Sequence, residues 1–183
     1  MQIAVFIDFQ GTIGGEGTDD ITALAPYPFT AKAIRRLNEA KLLVIGITNQ
    51  SHIAKGLLTW RDYDAALQGI ENELRESSAR FDAVYCCPHT HGDSCNCKKP
   101  LTGMVDKACE AFEIDLSLSY VVGDMGMSDM VLAKNIGAKG ILVLTGVGRG
   151  SLTTFRHTWE ACEAYHVAEN IADAVDVILS DMG

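Results

Sequence analysis

The chain has 183 residues, of which 48% are hydrophobic and 21% are charged, and this globular composition excludes disordered and fibrous proteins. The length allows one domain with a sizeable core, so we expect a single domain over residues 1–183. Lysine and arginine number 15 against 24 acidic residues, which gives a net charge of −9. Nucleic acid and anionic membranes are therefore not expected partners, and an anionic substrate would need a metal ion or a few placed lysines.

The apolar segments and the N-terminus predict a soluble protein. The longest strongly apolar stretch, Leu42 to Ile47, is far too short to span a bilayer. The residues before Asp8 contain neither the basic region nor the apolar region of a signal peptide. We therefore expect a cytoplasmic protein, and a domain of this size is compatible with a monomer.

Apolar, β-rich runs alternate with helix-like stretches along the chain. The predicted strands are Ile3–Phe9, Leu42–Thr48, Ala83–Cys87, Tyr120–Val122 and Gly140–Leu144. The predicted helices are Ala31–Ala40, Tyr63–Ser78, Gly103–Phe112, Ser128–Ile136 and Ile171–Ser180. Because the strands are apolar on both faces and are separated by helices, we predict a doubly wound α/β fold with a mostly parallel sheet. A late stretch with His157, Trp159 and His166 is also predicted to be helical.

Polar residues follow the predicted strands, where a doubly wound sheet binds its ligands. Asp8 ends an apolar run and is a candidate nucleophile, metal ligand or both, although a turn or capping role is the alternative. Asp124 and Asp129 follow the fourth strand, and two carboxylates facing a third suit Mg²⁺. Asp129 could instead be an acid in the first turn of its helix. These residues predict a polar site at one edge of the sheet.

Two further pairs of residues offer groups that bind phosphate. Thr48 and Asn49 supply a hydroxyl, an amide and backbone N–H groups, with helix or turn capping as the alternative. Lys98 and Lys99 precede Pro100, and one of them could provide a point charge for a phosphate. The alternative for Lys98 is an ordinary solvated lysine.

Four of the six cysteines fall within residues 86–97, which favours metal binding over disulfides in a reducing compartment. The predicted ligands, in a C-x-H-x₅-C-x-C pattern, are Cys87, His89, Cys95 and Cys97. Three thiolates and one imidazole are typical of a structural zinc site, here in a loop of about residues 86–98. Buried reduced cysteines are the alternative, and Cys86 or His91 could replace a neighbouring ligand. Cys109 and Cys162 are expected in the core.

Several segments in this order resemble one known family. They are Thr48–Gly56 (T-N-Q-S-H-I-A-K-G), Cys87–His89, Cys95–Pro100 and Gly103–Met104, together with the Asp8 motif (D-F-Q-G-T) and the Gly123–Asp129 motif. The set is similar to the haloacid dehalogenase superfamily, and within it to the histidinol-phosphate and heptose-bisphosphate phosphatases. The resemblance covers about residues 3–146. It implies a Rossmann-like haloacid dehalogenase core without a separate cap domain, with Ile13–Phe29 and the zinc loop over an open site.

The resemblance also implies roles for individual residues at the metal site. Asp8 would be the nucleophile and a Mg²⁺ ligand. Asp124 would bind Mg²⁺ through its carboxylate and Gln10 through its backbone carbonyl. Asp129 would act through water or by orienting its neighbours. The zinc, in a loop shorter than is typical of the family, would shape the substrate pocket without taking part in catalysis.

At the substrate, the resemblance assigns phosphate binding to Thr48, Asn49 and Lys99, so that Gln10, Thr48 and Lys99 are the predicted catalytic residues beside Asp8. Lys98 replaces an arginine associated with substrate recognition, and a lysine does not form the same bidentate contact.

Gln10 departs from the family pattern, because it stands where an aspartate acts first as general acid and then as base. An amide forms hydrogen bonds but does not exchange a proton at neutral pH. A positioned acid or base contributes ~10²–10⁴-fold in rate. A good leaving group needs little protonation, so formation of an aspartyl-phosphate could survive, whereas its hydrolysis would slow more.

The sequence therefore predicts a Mg²⁺-dependent phosphatase, a phosphoric monoester hydrolase acting on a small phosphorylated metabolite of the sugar-phosphate or histidinol-phosphate class. A catalytically impaired phosphosugar-binding or regulatory protein, or a phosphotransferase, is the alternative because of Gln10. A receiver-like signalling domain also has an acidic Mg²⁺ site, but it does not explain the cysteine loop.

Overall fold

The computed structural model describes residues 1–17 and 20–183. Its strands are β1 (Ala4–Ile7), β2 (Leu43–Asn49), β3 (Ala83–Cys87), β4 (Tyr120–Gly123), β5 (Lys139–Val143) and β6 (His166–Ala168). Its α-helices are α1 (Thr30–Glu39), α2 (Trp60–Glu76), α3 (Gly103–Ala111), α4 (Val131–Ile136), α5 (Gly148–Leu152) and α6 (Ile171–Asp181). The two residues outside the description, 18 and 19, fall in the Ile13–Phe29 segment that was expected over the site.

The six strands form one parallel sheet in the order β3-β2-β1-β4-β5-β6. The predicted doubly wound α/β fold is therefore confirmed. The chain runs outward from β1 to β3 in one direction and from β4 to β6 in the other, so the strand order reverses between β1 and β4. In such sheets a cleft opens beyond the carboxyl ends of the strands at this reversal, and ligands bind there.

The sheet separates two apolar cores. Helices α1, α2 and α6 cover one face, and helices α3 and α4 cover the other. Within β1, Val5 and Ile7 pack into the first core, whereas Ala4 and Phe6 pack into the second. Because both faces of the central strands are buried, their sequences are continuous apolar runs without polar alternation.

The late part of the chain differs from its prediction. His166 lies in β6, a three-residue edge strand, and not in a helix. His157 and Trp159 lie in a short 3₁₀ turn, Arg156–Trp159, where the Trp159 ring is buried against Gly126. Cys162 is buried as predicted, but Cys109 is exposed. No helix among residues 1–17 and 20–183 is long and apolar enough to cross a membrane.

Two glycines give a matched test of this packing. A Cβ added to Gly46 in β2 would lie 2.6 Å from a ring carbon of Phe9, which is fully buried and stacks on Phe81 with ring centroids 5.3 Å apart. We expect Gly46→Ala to lower the free energy of unfolding by about 1–3 kcal/mol. Gly69 in α2 has no atom within 4 Å of an added Cβ, so Gly69→Ala should raise it by about 0.5–1 kcal/mol. Urea unfolding followed by circular dichroism measures both, and equal effects would contradict the packing described.

Candidate active site

A buried lysine links two carboxylates at the point where the strand order reverses. Asp8 follows β1 directly, and its backbone N–H donates to the Val122 carbonyl of β4 at 3.0 Å. The Lys99 Nζ donates to Asp8 Oδ1 at 2.6 Å and to Asp129 Oδ1 at 2.7 Å. Lys99 is only 3% exposed, so this ammonium group lies inside the protein with both of its counterions.

Two hydrogen bonds with the Asn49 side chain hold the backbone of Lys99 in place. Asn49, the last residue of β2, accepts from the Lys99 backbone N–H at 3.0 Å and donates to the Lys99 carbonyl at 3.3 Å. Lys98 points elsewhere, since its Nζ donates to the His89 carbonyl at 3.2 Å. It lines an adjacent pocket together with His91 and Asn49. The two neighbouring lysines thus have different surroundings: Lys99 contacts the carboxylates, and Lys98 lines the adjacent pocket.

Three carboxylates meet in the cleft. Asp124 Oδ2 accepts from the Val147 N–H at 2.8 Å, and Asp129 Oδ2 accepts from the Met125 N–H at 3.0 Å. Oxygen atoms of Asp8, Asp124 and Asp129 all lie within 4.8 Å of one another. Lys99 offsets only part of their negative charge, and carboxylate oxygens are the ligands that Mg²⁺ prefers. The donor set therefore fits a divalent cation.

Glycines make room around Asp124. A Cβ on Gly11 would lie 2.0 Å from Asp124 Oδ2, and one on Gly146 would lie 2.2 Å from the same atom. Both glycines also have positive φ, +79° and +56°, a backbone conformation that other residues rarely adopt. A side chain at either position would therefore displace the Asp124 carboxylate.

Burial and mutual repulsion raise the pKa values of two of these acids. Burial, partly offset by Lys99 and reinforced by Asp129, raises the pKa of Asp8 to about 6. Burial, together with the charges of Asp8 and Asp129, raises the pKa of Asp124 to about 8. For Lys99, burial lowers the pKa, but the Asp129 and Asp8 carboxylates outweigh it and the net shift is upward. Lys99 therefore keeps its proton, and the pKa of Asp124 is raised further than that of Asp8.

The side chains of Gln10, Thr48 and Gln50 form a hydrogen-bonded chain behind the carboxylates. The Gln50 Nε2 donates to Thr48 Oγ1 at 2.9 Å, and Thr48 Oγ1 donates to Gln10 Oε1 at 3.2 Å. Thr48 is fully buried, so its hydroxyl contacts two amides, and the residues that line the carboxylate cavity do not include it. Gln10 does line the cavity, and its Nε2 is buried without a hydrogen-bond partner among the described residues.

The carboxylate cavity contains several residues that the sequence analysis did not single out. Besides the predicted residues Asp8, Gln10, Asn49, Lys99, Asp124 and Asp129, it is lined by Gly17, Met125 and Ser128. Met125 and Ser128 lie between Asp124 and Asp129 in the acidic motif. Only the two aspartates carry a charge that indicates a metal site, so the sequence carried no signal for the residues between them. Gln50 was likewise quoted only as part of the Thr48–Gly56 segment, and no spacing signal indicated its bond to Thr48.

The predicted cysteine and histidine ligands lie together next to this cleft. The donor atoms of Cys87, His89, Cys95 and Cys97 are all within 4.8 Å of one another. The Cys87 Sγ lies 2.7 Å from the Cys97 Sγ and 4.0 Å from the Cys95 Sγ, and the His89 Nδ1 lies 3.3 Å from the Cys97 Sγ. Since three thiols and one imidazole converge, this set has the donor chemistry of a tetrahedral zinc site.

Known proteins resemble the chain in both sequence and structure. A family model described as HAD-hydrolase-like matches residues 96–174. A probable D-glycero-D-manno-heptose-1,7-bisphosphate 7-phosphatase of Thermoplasma volcanium is 33% identical over 134 residues, which cover 72% of this chain and 92% of the relative. A D-glycero-beta-D-manno-heptose-1,7-bisphosphate 7-phosphatase of Bordetella bronchiseptica is 32% identical over 154 residues, covering 84% and 83% of the two chains.

A crystal structure of D,D-heptose 1,7-bisphosphate phosphatase from B. bronchiseptica, complexed with magnesium and phosphate, superimposes with a TM-score of 0.88 at 28% identity and covers 99% of both chains. The fold and the acidic site thus define a haloacid dehalogenase-like hydrolase, and the chain belongs to this superfamily. Within the superfamily it is a phosphoric monoester hydrolase, in the group that contains the heptose-bisphosphate phosphatases. The predicted family and class of enzyme are therefore confirmed.

The raised carboxyl pKa values predict a pH-dependent stability of the metal-free protein. Because the folded-state pKa values of Asp8 and Asp124, about 6 and about 8, lie above the ordinary value of 3.8, folding favours the protonated forms. This stabilisation is fully present below about pH 4 and is lost as the pH rises through both values. Asp124→Asn should therefore unfold at a higher temperature than the wild type at pH 8 without Mg²⁺, by about 2–4 °C for each 1 kcal/mol.

Thermal unfolding of both proteins at pH 5 and pH 8, with and without Mg²⁺, measures this effect. Addition of Mg²⁺ at pH 8 should stabilise the wild type but not Asp124→Asn. Glu73→Gln, which removes one charge from the exposed side of α2, is the control and should behave as the wild type. A metal-free wild type that is equally stable at both pH values would contradict the electrostatic account.

Proposed function

We propose that the protein is a Mg²⁺-dependent phosphatase that hydrolyses a phosphorylated sugar through an aspartyl-phosphate on Asp8. The observation that carries the proposal is the contact of 2.6 Å between Lys99 Nζ and Asp8 Oδ1, beside Asp124 and Asp129, in the cleft where the strand order reverses. The relatives named as heptose-bisphosphate phosphatases support the sugar phosphate. We further propose a single-domain, monomeric, cytoplasmic enzyme.

The geometry suits nucleophilic attack by Asp8. Lys99 binds Oδ1, which leaves Oδ2 with the weaker contact of 3.4 Å to the Thr12 hydroxyl. Attack of Oδ2 on phosphorus forms the acyl phosphate, and the bond to the leaving oxygen breaks with its electron pair on that oxygen. Water then attacks phosphorus and releases the Asp8 carboxylate. The Lys99 ammonium stabilises negative charge on the phosphoryl oxygens during both steps.

The residues present would hold Mg²⁺ through the carboxylates of Asp8 and Asp124 and through the backbone carbonyl of Gln10. Bound there, the cation would supply positive charge against the phosphate oxygens. Asp129 acts chiefly on Lys99 and on the Met125 N–H, so we assign it the role of positioning the lysine. Asn49 orients the Lys99 backbone, and Thr48 orients Gln10.

We propose structural zinc for the cysteine and histidine cluster. Cys97 directly precedes Lys98 and Lys99 in the chain, so the loop that the metal would fix also carries the lysine of the active site. A loop with few apolar residues gains its order from the metal–ligand bonds. Zinc would thereby fix the position of the pocket rim, with Lys98 facing the substrate beyond the phosphate.

The phosphatase activity is tested with a panel of sugar phosphates and histidinol phosphate, by measuring phosphate release with Mg²⁺ and with EDTA. We expect release in Mg²⁺, little in EDTA, and a loss of at least about 10³-fold in Asp8→Asn because the nucleophile is removed. Asp64→Asn, an exposed position of α2, controls for the loss of one negative charge. Release that persists in Asp8→Asn would rule out the mechanism.

The zinc site is tested with a pair of cysteine variants. Cys95→Ser removes a proposed ligand, whereas Cys109→Ser changes an exposed cysteine in α3 outside the cluster. We expect about one zinc per chain in the wild type and in Cys109→Ser, and much less in Cys95→Ser, with a lower unfolding temperature. Elemental analysis and thermal unfolding provide the two measurements. Equal zinc content in the two variants would contradict the assignment.

A further inference from the structure

Gln10 is a buried amide whose donor group is unused. Its side chain lines the carboxylate cavity beside Asp8, and the residue is only 8% exposed. Its Nε2 has no hydrogen-bond partner in the described part of the chain. A buried donor without a partner is unfavourable, so a group that accepts a hydrogen bond from Nε2 when substrate binds would be favoured.

The hydrogen-bonded chain fixes the orientation of this amide. Because Thr48 Oγ1 accepts from the Gln50 Nε2, its own proton is available for Gln10 Oε1. The oxygen of Gln10 is therefore turned toward Thr48, and the nitrogen is the free end. An amide nitrogen donates a hydrogen bond but neither releases a proton to a leaving oxygen nor accepts one from water at neutral pH.

The other titratable groups that line the cavity have their own contacts. Lys99 Nζ is bound by the Asp8 and Asp129 carboxylates. Asp129 also accepts from the Met125 N–H, and Asp124 accepts from the Val147 N–H in the proposed cation site. Asp8 itself is the nucleophile. Among the described lining residues, none is therefore placed to protonate the leaving oxygen.

We propose that Gln10 makes this enzyme selective for phosphate esters whose alcohol departs without being protonated, an anomeric sugar phosphate above all, and that it slows hydrolysis of the phosphorylated Asp8. The inference rests on the proposed function and specifies its substrate class. The relatives are named as 7-phosphatases of a 1,7-bisphosphate, and the 7-phosphate is an ester of a primary alcohol. This chain is expected to favour the anomeric phosphate over the phosphate ester of a primary alcohol.

The reason lies in the two steps of the reaction. In the first step the leaving oxygen departs as an oxyanion, stabilised by the hydrogen bond from Gln10 Nε2, and takes its proton from solvent. An anomeric or phenolic oxygen carries this charge more readily than a primary alkoxide does. In the second step the attacking water transfers its proton to solvent or to the phosphate, since Gln10 does not accept it. That step contains no leaving alcohol, so it is slow for every substrate.

A series of leaving groups tests the proposal directly. We would measure kcat/KM, which reports the first step, for 4-nitrophenyl, phenyl and benzyl phosphate in the presence of Mg²⁺. The matched variant is Gln10→Glu, which keeps the length of the side chain and introduces a group that exchanges protons. We expect the wild type to discriminate between the best and the poorest leaving group by ~10²–10⁴-fold more than Gln10→Glu does. Gln68→Glu, the same change on the exposed surface of α2, should leave the wild-type pattern unchanged.

A second measurement uses the wild type alone and does not depend on the folding of a variant. With α-glucose 1,6-bisphosphate as the probe, ³¹P NMR shows which phosphate is removed. We expect the anomeric phosphate to leave first, and we expect a burst of about one equivalent of 4-nitrophenol from 4-nitrophenyl phosphate because the second step is slow.

Two results would overturn the inference in distinguishable ways. If release depends on Mg²⁺ and Asp8 but the primary phosphate is removed as fast as the anomeric one, another group supplies the proton and the role of Gln10 is wrong while the phosphatase stands. A shallow dependence on the leaving group that steepens in His91→Gln would identify His91 as that group. If no ester is hydrolysed by any of these proteins, the proposed function fails together with the inference.

Discussion

The ammonium group of Lys99 lies between the carboxylates of Asp8 and Asp129, and the rest of the site is arranged around these two contacts. A buried ion pair is costly to form, because both charges leave water. It persists here because each partner is also held by neighbours: Asn49 fixes the backbone of Lys99, and the Met125 N–H fixes Asp129. Removing the lysine would leave two buried carboxylates without compensation, a loss of about 3–5 kcal/mol for pairs of this kind.

The same interaction connects the proposed cation site with the proposed zinc loop. Burial and the charges of Asp8 and Asp129 raise the pKa of Asp124, and the proposed divalent cation would offset this excess of negative charge. The lysine in turn lies two residues after Cys97, at the end of the segment whose thiols and imidazole converge. A well-ordered cysteine loop would therefore keep the Lys99 ammonium group at the carboxylates of Asp8 and Asp129.

The sequence predicted much of the fold because buried parallel strands form continuous apolar runs. Five strands and the helices between them follow from this pattern, and within α1 the buried residues Ala33, Ile34 and Leu37 recur at helical spacing. The sixth strand was missed because it has three residues, of which His166 and Val167 are exposed, so it carries neither length nor an apolar pattern. Cys109 was misplaced because a small apolar residue in a helix gives little information on which face it lies.

For the site, the aspartates, Lys99 and the cysteine loop could be identified because their order along the chain is characteristic. The hydrogen-bonded chain from Gln50 through Thr48 to Gln10 could not, since hydrogen-bond direction depends on which groups a fold brings together. Phosphate binding by Thr48 stays a prediction, and in the structure its hydroxyl contacts the two amides. The sequence alone identifies Gln10 as unusual. The structure adds that its Nε2 has no partner among the described residues and can donate a hydrogen bond to a bound group.

The contacts of the site also join distant parts of the chain. Asp8 and Lys99 are 91 residues apart, and Asp129, which follows β4 in the other half of the sheet, contacts the same lysine, so the cavity exists only when the strands from both halves of the sheet are paired. A chain with half of the sheet formed lacks this cavity, because loop closure must come before such contacts form. Under the proposed function, substrate and metal would bind the complete fold alone and stabilise it by mass action. Occupancy of the site would thus lower the population of the partly folded forms from which aggregation and proteolysis begin.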